Sequence, residues 1–417
     1  MVAFDYRQNT LYCEDVPLAD IARRAGTPCY VYSGGYILGR LREYDEAFSG
    51  QAHRICYAVK ANSNLSILKL VADAGYGFDI VSGGELFRVI RAGGDPAKVL
   101  FSGVGKTADE INYALDNRIH SFNCESEAEL ALIDSLACRK GVKASVAIRV
   151  NPDVDASTHP YISTGLSEHK FGINIAEAEE VYRRARSLNS LRLEGVSCHI
   201  GSQLLDTSPM MQAFEKVIAL GDRLRARGIP VGTLDLGGGL GVSYKPSDRT
   251  PSVSDFVDAL VSKVAGRDLS VMIEPGRSII GEAGVLLTRV LYRKSNGHKE
   301  FVIVDAAMND LLRPALYHSH HEIIPVRRND TGTVIADVVG PVCESGDFLA
   351  RNREVANVMP GDLLAVCTAG AYGFVLASNY NSRPRPPEVL VDGAAWSIIR
   401  ARESFEDLVR GESAALA

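Results

Sequence analysis

The sequence predicts an α/β fold, a closed (β/α)8 TIM barrel followed by a mainly β C-terminal domain. Eight short apolar strand patterns alternate with amphipathic helical segments in about 230 residues, close to the usual ~250 residues of such a barrel. Polar and glycine residues follow these strand patterns, where a barrel would bring them together. Past about residue 282 the helical segments give way to strands and turns. An open, doubly wound sheet is the alternative.

Residues 1–33 form an N-terminal segment that we expect to pack with the β domain, and residues 34–281 form the barrel. The predicted barrel strands are His53–Val59, Gly77–Val81, Lys98–Phe101, His120–Cys124, Ser145–Val150, Leu193–His199, Thr233–Leu236 and Ser270–Ile273. The helical segments between them are Leu65–Asp73, Gly84–Ala92, Thr107–Asp116, Ser126–Leu136, Ala176–Leu188, Met210–Arg227 and Ser254–Ala265.

Residues 282–417 form the β domain. An Asn-Gly pair at 296–297 predicts a hairpin between two strand patterns, Val285–Tyr292 and Phe301–Asp305. Further strands are expected at Val334–Val339, Arg353–Val358, Leu363–Thr368 and Val389–Val391. A helix-like segment, Asn309–His320, interrupts them.

Composition excludes several classes of protein. There are 45 basic and 51 acidic residues, a net charge of −6, and no basic run, so neither nucleic acid nor a membrane is an expected partner. The eight cysteines include no C-x-x-C pair, which argues against a structural zinc site, and no metal is expected. No long apolar stretch or secretory pattern is present, so we expect a soluble cytoplasmic protein.

The motif Tyr57-Ala58-Val59-Lys60-Ala61-Asn62 places a lysine at the end of the first barrel strand. Such a lysine is a candidate Schiff-base nucleophile, although a solvated surface lysine is the commoner explanation. Asp79 ends the next strand. Because the active sites of these barrels lie at the carboxyl ends of the strands, both residues are site candidates.

Three later strand ends also carry chemistry. Gly237-Gly238-Gly239 follows the seventh strand, where this fold usually binds phosphate. Glu274 follows the eighth strand and could pair with a pyridine nitrogen, while Arg277 could bind an anion. His199 is either a core histidine or a ring that stacks on a cofactor. A lysine, a phosphate loop, an acid and a histidine at strand ends together indicate a pyridoxal phosphate site.

With these residues the chain resembles the fold-type III pyridoxal phosphate decarboxylases, and within them the diaminopimelate decarboxylases. The resemblance covers nearly the whole chain. It rests on motifs at residues 57–62, 78–86, 159–165, 169–173, 198–203, 237–241, 274–277, 308–317, 343–347 and 369–386. It implies decarboxylation of meso-2,6-diaminopimelate to L-lysine and carbon dioxide, the last step of bacterial lysine biosynthesis, with pyridoxal 5'-phosphate as cofactor.

The resemblance also implies residue roles. Lys60 binds the cofactor covalently with support from Asp79, His199 stacks on its ring, and Glu274 pairs with the ring nitrogen. Its phosphate is bound by Ser202, Gly237, Gly238, Gly239 and Tyr372.

For the substrate, the resemblance implies binding by Arg277, Arg313, Tyr317, Glu344 and Tyr372, and proton donation by Cys343. Cys343 and Glu344 serve the partner's site in the family, so a homodimer is implied. Arg313 and Tyr317 are four residues apart and would share one face of a helix.

Several alternatives stay open. A related decarboxylase could act on ornithine, lysine, arginine or a carrier-bound amino acid, and alanine racemase shares the two-domain plan. A distal zwitterion needs both signs of charge, as Arg313 and Glu344 provide, whereas a diamine-forming enzyme would need acids alone. Two further alternatives are a non-catalytic homologue, against which the retained Lys60, His199 and Cys343 argue, and a barrel that binds another phosphate ligand.

Overall fold

The computed structural model describes residues 2–155 and 170–413, and the chain divides into two compact units. The barrel unit comprises Leu38–Val242 and Arg249–Ile279. The β unit comprises Met1–Ile37, Ser243–Asp248 and Ile280–Ala417. The motif at 159–165 and most of the loop from Asn151 to Lys170 lie outside the described residues.

Eight parallel strands form the barrel and confirm the predicted fold class. After β1 (Phe4–Arg7), β2 (Thr10–Cys13), β3 (Val16–Pro17) and β4 (Cys29–Ser33), the barrel strands are β5 (His53–Ala58), β6 (Gly77–Ile80), β7 (Val99–Phe101), β8 (Ser121–Cys124), β9 (Ala144–Asn151), β11 (Leu191–Ser197), β12 (Thr233–Asp235) and β13 (Ser270–Ile273). The short β10 (Ile173–Asn174) lies beside β9. Each barrel strand pairs with the next in sequence, and β13 pairs with β5, which closes the sheet.

A helix follows each barrel strand in the chain. These helices are α3 (Leu65–Asp73), α4 (Gly83–Arg91), α5 (Ala108–Asp116), α6 (Glu127–Lys140), α7 (Ile175–Ala185), α8 (Ser208–Ala226), α9 (Val253–Val264) and α10 (Arg277–Ile280); α1 (Leu18–Ala25) and α2 (Gly34–Ala47) precede the barrel. The side chains of Asn64, Ser82, Thr107, Ser126 and Ser252 each accept a backbone N–H at a helix start. These residues cap otherwise unpaired N–H groups, which explains where the helices begin.

Four barrel-strand predictions extended too far at their carboxyl ends, Gly77–Val81 and Thr233–Leu236 by one residue each and two others at candidate site residues. The first barrel strand ends at Ala58, so Lys60 lies in a 3-10 turn, Val59–Ala61, and not at the strand's last position. The sixth was predicted as Leu193–His199, but β11 spans Leu191–Ser197. In both places the apolar pattern continues past the last ladder hydrogen bond, because buried residues continue into the turn.

The β unit contains a large mixed sheet. Its strands are β14 (Gly284–Asn296), β15 (Lys299–Val304), β16 (Ile323–Pro325), β17 (Thr333–Val339), β18 (Phe348–Ala356), β19 (Leu363–Val366), β20 (Glu388–Asp392) and β21 (Ala395–Arg400). The main order is β18-β17-β15-β14-β4-β20-β21, so the N-terminal β4 is an inner strand of this sheet. The predicted hairpin joins β14 to β15, and Gly297 in its turn has φ +65°.

The helix predicted over Asn309–His320 is much shorter. Only α11 (Arg313–Tyr317) is helical, and His318 ends it in the left-handed conformation. A second short helix, α12 (Phe405–Leu408), lies near the end of the chain. Asp310 accepts the N–H of Ala307 at 2.9 Å, and such local side-chain bonds compete with helix formation.

Within residues 2–155 and 170–413, every helix is too short or too polar to cross a membrane.

The barrel packing generates a stability prediction. Phe122 on β8 is buried and packs on Phe101 with ring centroids 6.0 Å apart. Phe122→Ala should therefore lower the free energy of unfolding by about 3–5 kcal/mol, because it leaves a cavity. Phe87→Ala is the matched control, since Phe87 is 61% exposed. Urea unfolding, followed by far-ultraviolet circular dichroism, measures the free energy of unfolding of both variants. Equal effects of the two substitutions would contradict the packing described.

Candidate functional site

Lys60 and Asp79 form an ion pair at the carboxyl end of the barrel. The Nζ of Lys60 contacts Oδ2 of Asp79, whose side chain is fully buried. The other oxygen of Asp79, Oδ1, is buried and has no hydrogen-bond partner in the described part of the chain. A buried carboxylate oxygen without a partner is rare and costly, and it often marks a functional site. The pair therefore presents an amine, held by a buried acid, to the space above the strands.

Glu274 follows β13 and is also buried. Its Oε1 accepts hydrogen bonds from Ser102 Oγ at 3.2 Å and Asn123 Nδ2 at 3.1 Å. Burial raises the pKa of Glu274 well above its ordinary value, and the nearby charges of Asp235 and Asp79 raise that pKa further. The protein therefore favours the neutral form of this acid more than water does.

His199 is held in one tautomer. The N–H of Gly238 donates to its Nδ1 at 3.2 Å, which leaves the proton of the neutral ring on Nε2. Burial lowers the pKa of His199 well below its ordinary value, and the positive charges of Arg149 and Lys60 lower that pKa further. The ring is therefore an uncharged face within the site.

The glycine loop admits no side chains. A Cβ on Gly237 would lie 2.7 Å from Nδ1 of His199, and one on Gly238 would lie 2.4 Å from the carbonyl oxygen of Glu274. Gly237 also has φ +65°, which glycine adopts without strain. The N–H of Gly237 donates to Asp235, so the amides of these two glycines are already bonded within the protein.

Lys60, His199 and Glu274 face one cavity of about 450 Å³. Its lining includes Lys60, Ser102, Arg149, His199 and Glu274. The structure thus brings the predicted lysine, histidine and acid together. Ser202 and Arg277 form a neighbouring pair, in which Nη2 of Arg277 donates to Oγ of Ser202 at 3.1 Å.

Sequence reasoning missed Ser102, Asn123 and Arg149. Each is a polar residue next to or within a short apolar strand pattern, and that interruption was the available signal. Arg149 pairs with Glu125 at 2.7 Å and lies 4.8 Å from the ring centroid of Phe171.

The predicted residues of the β unit form two groups. Arg313 is buried, donates to Nε2 of His321 at 3.3 Å, and lies 6.0 Å from the ring centroid of Tyr317. In the second group, Cys343 and Glu344 are exposed on one loop, where Tyr380 donates a hydrogen bond to Glu344.

Tyr372, the remaining predicted residue, has φ +56°, in the left-handed region that a non-glycine residue rarely adopts. It is partly buried.

Glu85 is a further titratable group near Lys60. Its Oε2 accepts the N–H of Val81 at 2.7 Å. Burial raises the pKa of Glu85 to about 7, while that hydrogen bond and the charge of Lys60 act in the opposite direction. The residue therefore exchanges a proton near neutral pH.

Known proteins share both sequence and fold with this chain. Residues 35–281 match the family described as pyridoxal-dependent decarboxylase, pyridoxal binding domain. A diaminopimelate decarboxylase of Pseudomonas aeruginosa is 55% identical over 413 residues, 99% of each chain. One from Aquifex aeolicus is 48% identical over 405 residues, 97% of this chain and 96% of that protein.

A solved structure extends the comparison. The crystal structure of diaminopimelate decarboxylase from Helicobacter pylori complexed with L-lysine has 45% sequence identity and a TM-score of 0.91. The similarity covers 94% of this chain and 98% of that one.

The shifted pKa of Glu85 gives a pH prediction. A carboxyl whose pKa is about 7 when folded and 4.5 when unfolded stabilises the fold below pH 4.5, and this contribution is lost as the pH rises to about 7. Glu85→Gln should therefore show a smaller fall in the free energy of unfolding between pH 5 and 7 than the wild type. Urea unfolding at successive pH values measures this difference.

Glu110→Gln is the matched control. The backbone N–H of Gly83 is the largest of several contacts that lower the pKa of Glu110, so this residue stays ionised throughout the window. Its substitution should leave the slope between pH 5 and 7 unchanged. A Glu85→Gln slope equal to that of the wild type would show that Glu85 is ionised at pH 6.

Proposed function

We propose a reaction for this chain from one premise: the chain belongs to the pyridoxal-dependent decarboxylases and, within them, to the diaminopimelate decarboxylase family. The proposed reaction is the decarboxylation of meso-2,6-diaminopimelate to L-lysine and carbon dioxide. The observation that supports it most directly is the single cavity that an amine, an imidazole and a buried acid of raised pKa face together.

The barrel residues fit pyridoxal phosphate. Lys60 supplies an amine that can bind an aldehyde, and the unpartnered Oδ1 of Asp79 leaves an acceptor beside it. Glu274 offers a proton to a ring nitrogen. The cofactor, when bound, supplies an electron sink that makes loss of carbon dioxide from an amino acid feasible.

The phosphate would be bound by Ser202 and the glycine loop. Because Gly237 and Gly238 already donate their N–H groups to Asp235 and His199, in our proposal these two glycines and Gly239 mainly leave room for the phosphate, and the Ser202 hydroxyl donates to it. Tyr372 would contribute its hydroxyl.

Each barrel side chain has a distinct part. Asp79 keeps the Lys60 amine in place and charged until it reacts. The uncharged His199 ring offers a flat surface and adds no positive charge that would compete with the protonated ring nitrogen. Glu274 holds the proton at that nitrogen, which stabilises negative charge that develops as carbon dioxide leaves.

The β-unit residues are proposed to recognise the distal end of the substrate and to complete the reaction. Arg313, with Arg277 and Tyr317, would bind the distal carboxylate, and Glu344 the distal ammonium. Cys343 would return a proton to the substrate carbon. We further propose a homodimer in which Cys343 and Glu344, both exposed on their unit, serve the partner's site.

Turnover tests the proposal directly. The purified protein, incubated with pyridoxal phosphate, should show a visible absorption band of the lysine-bound cofactor and convert meso-diaminopimelate to lysine and carbon dioxide. Lys60→Ala should lose both the band and at least about three orders of magnitude in turnover, since it removes the covalent attachment. Lys69→Ala, an exposed lysine paired with Asp73, is the control and should retain both. A band without lysine formation would redirect the substrate to another amino acid.

Inhibition by L-lysine and by a diamine tests the proposed distal pocket. L-lysine keeps the distal carboxylate of the substrate, whereas 1,5-diaminopentane has none. Arg313→Ala should weaken inhibition by lysine roughly 10–100-fold, the usual effect of losing a charged hydrogen-bond partner, and change inhibition by the diamine little. Arg328→Ala, which removes an arginine lying over Tyr6, is the control. Equal losses for both inhibitors would exclude Arg313 as the carboxylate-binding residue.

A further inference from the structure

Two carboxyl groups lie next to each other inside the barrel, Asp235 at the end of β12 and Glu274 just after β13. Asp235 is 2% exposed and Glu274 is 7% exposed. Nδ2 of Asn123 donates to Oδ2 of Asp235 at 2.8 Å and to Oε1 of Glu274 at 3.1 Å, so one amide group holds the two carboxyl groups side by side. Two carboxyl groups in such contact cannot both ionise cheaply away from water, so the pair holds one proton between them.

The donors around the pair decide which residue holds the proton. Oδ1 of Asp235 accepts the N–H of Gly237 at 3.0 Å, and its Oδ2 accepts Nδ2 of Asn123 at 2.8 Å. Among the described residues, Glu274 accepts from Asn123 at 3.1 Å and from Ser102 at 3.2 Å, both through Oε1. Shorter bonds to both oxygens stabilise the ionised form of Asp235. The shared proton therefore stays on Glu274.

The other titratable groups around the pair agree with this distribution. Asp79, on β6, adds negative charge that raises the pKa of Glu274, and Lys60 lowers that pKa to a smaller extent. Burial raises the pKa of the Cys198 thiol to about 12 and that of the Cys56 thiol well above its ordinary value, so both are neutral. The charges acting on Glu274 are thus two carboxylates and one ammonium.

We propose that Asp235 is a positioning residue, which acts through Glu274 to keep a proton at the nitrogen of a bound pyridine ring. This inference rests on the proposed function. On binding, the proton leaves the Glu274 carboxyl for the ring nitrogen and Glu274 becomes a carboxylate. Asp235 stays ionised, and its negative charge stabilises the protonated ring nitrogen from the far side of Glu274. Asn123 holds both acids in register, since its Nδ2 donates to each of them.

Asp235 also bonds to the glycine loop. Its Oδ1 fixes the N–H of Gly237, while the carbonyl oxygen of Gly237 accepts the N–H of Glu274 at 2.8 Å. One buried carboxylate is therefore bonded both to the glycine loop and to the acid that faces the ring nitrogen. A role confined to ordering the loop is the alternative that an experiment has to separate.

Infrared spectroscopy of the full-length protein without cofactor tests the proton directly. The wild type should show the C=O stretch of a protonated carboxyl that Glu274→Gln removes and that persists at pH values where a solvent-exposed glutamate is ionised. Asp235→Asn should move the pH at which this band disappears down by at least about one unit, a tenfold loss of proton affinity, because the neighbouring charge is gone. Asp134→Asn is the matched control, since Asp134 accepts a backbone N–H from Ser190 elsewhere in the barrel unit.

A second variant, Asn123→Ala, should not lower the pH at which the band disappears. Asn123→Ala removes the donor shared by both acids and keeps both carboxyl groups, so the band should persist to an equal or higher pH. A fall in Asn123→Ala, an unchanged midpoint in Asp235→Asn, or no protonated carboxyl in the wild type at pH 7 would each overturn the proposal. None of these results depends on substrate or on lysine formation, so they are distinct from a failure of the proposed reaction.

Cofactor affinity separates charge from loop order. In the full-length protein, Asp235→Asn should weaken binding of pyridoxal phosphate roughly tenfold, as expected for removal of a charge that acts on a bound cation. In a Glu274→Gln background the same substitution should change binding little, because the group through which Asp235 acts is absent. An equal loss in both backgrounds would assign Asp235 to the loop alone.

Discussion

The pairing of the last barrel strand with the first is the constraint on which the barrel site depends. Val271, Met272 and Ile273 of β13 lie opposite His53, Arg54 and Ile55 of β5. Just past this ladder, the N–H of Ala58 donates to the carbonyl oxygen of Pro275 at 3.1 Å. This register brings the chain around Glu274 beside the turn that carries Lys60. Without closure, two residues more than 200 positions apart in the sequence would have no fixed relation.

Close backbone contacts at the same end make the glycine loop obligatory. The carbonyl oxygen of Glu274 would lie 2.4 Å from a Cβ on Gly238, and the carbonyl oxygen of Cys198 would lie 2.8 Å from one on Gly237. Alanine at either position would push the seventh strand end away from its neighbours. The loop's position therefore follows from the closed barrel, and its composition follows from the space that closure leaves.

Periodicity and strand-end chemistry were enough to predict the barrel and the main residues of its cavity. Lys60, Asp79, His199 and Glu274 are all polar residues at or next to the ends of apolar strand patterns, and a parallel barrel gathers such positions at one end. The exact ends of β5 and β11 could not be predicted from the sequence, because the residues of the following turns are buried as well. The helix predicted over Asn309–His320 was too long, since side chains around Asp310 bond locally and compete with helix formation.

For Asn123, by contrast, the sequence shows a polar residue within an apolar strand pattern but cannot show its bonding partners. It bonds to Asp235, 112 positions away, and to Glu274, 151 positions away. No local pattern encodes such distances, because they arise only when eight strands close in one register. Lys106 shows the same limit, since its buried Nζ bonds to Glu129 and to the carbonyl oxygens of Gly103 and Asn123. The Lys106 side chain thus joins two strand ends inside the barrel unit.

In the β unit, hydrogen bonds to the backbone hold the loop that carries Cys343 and Glu344. Asp347, itself buried, accepts the N–H of Met308 and the N–H of Val342, each at 2.7 Å. The N–H of Cys343 donates to Oδ1 of Asn381 at 2.8 Å. The loop that carries Cys343 and Glu344 is thus held by its backbone, which leaves both side chains exposed. The Cys343 thiol and the Glu344 carboxylate are therefore exposed on a loop whose backbone is fixed, and the Glu344 carboxylate accepts a hydrogen bond from Tyr380.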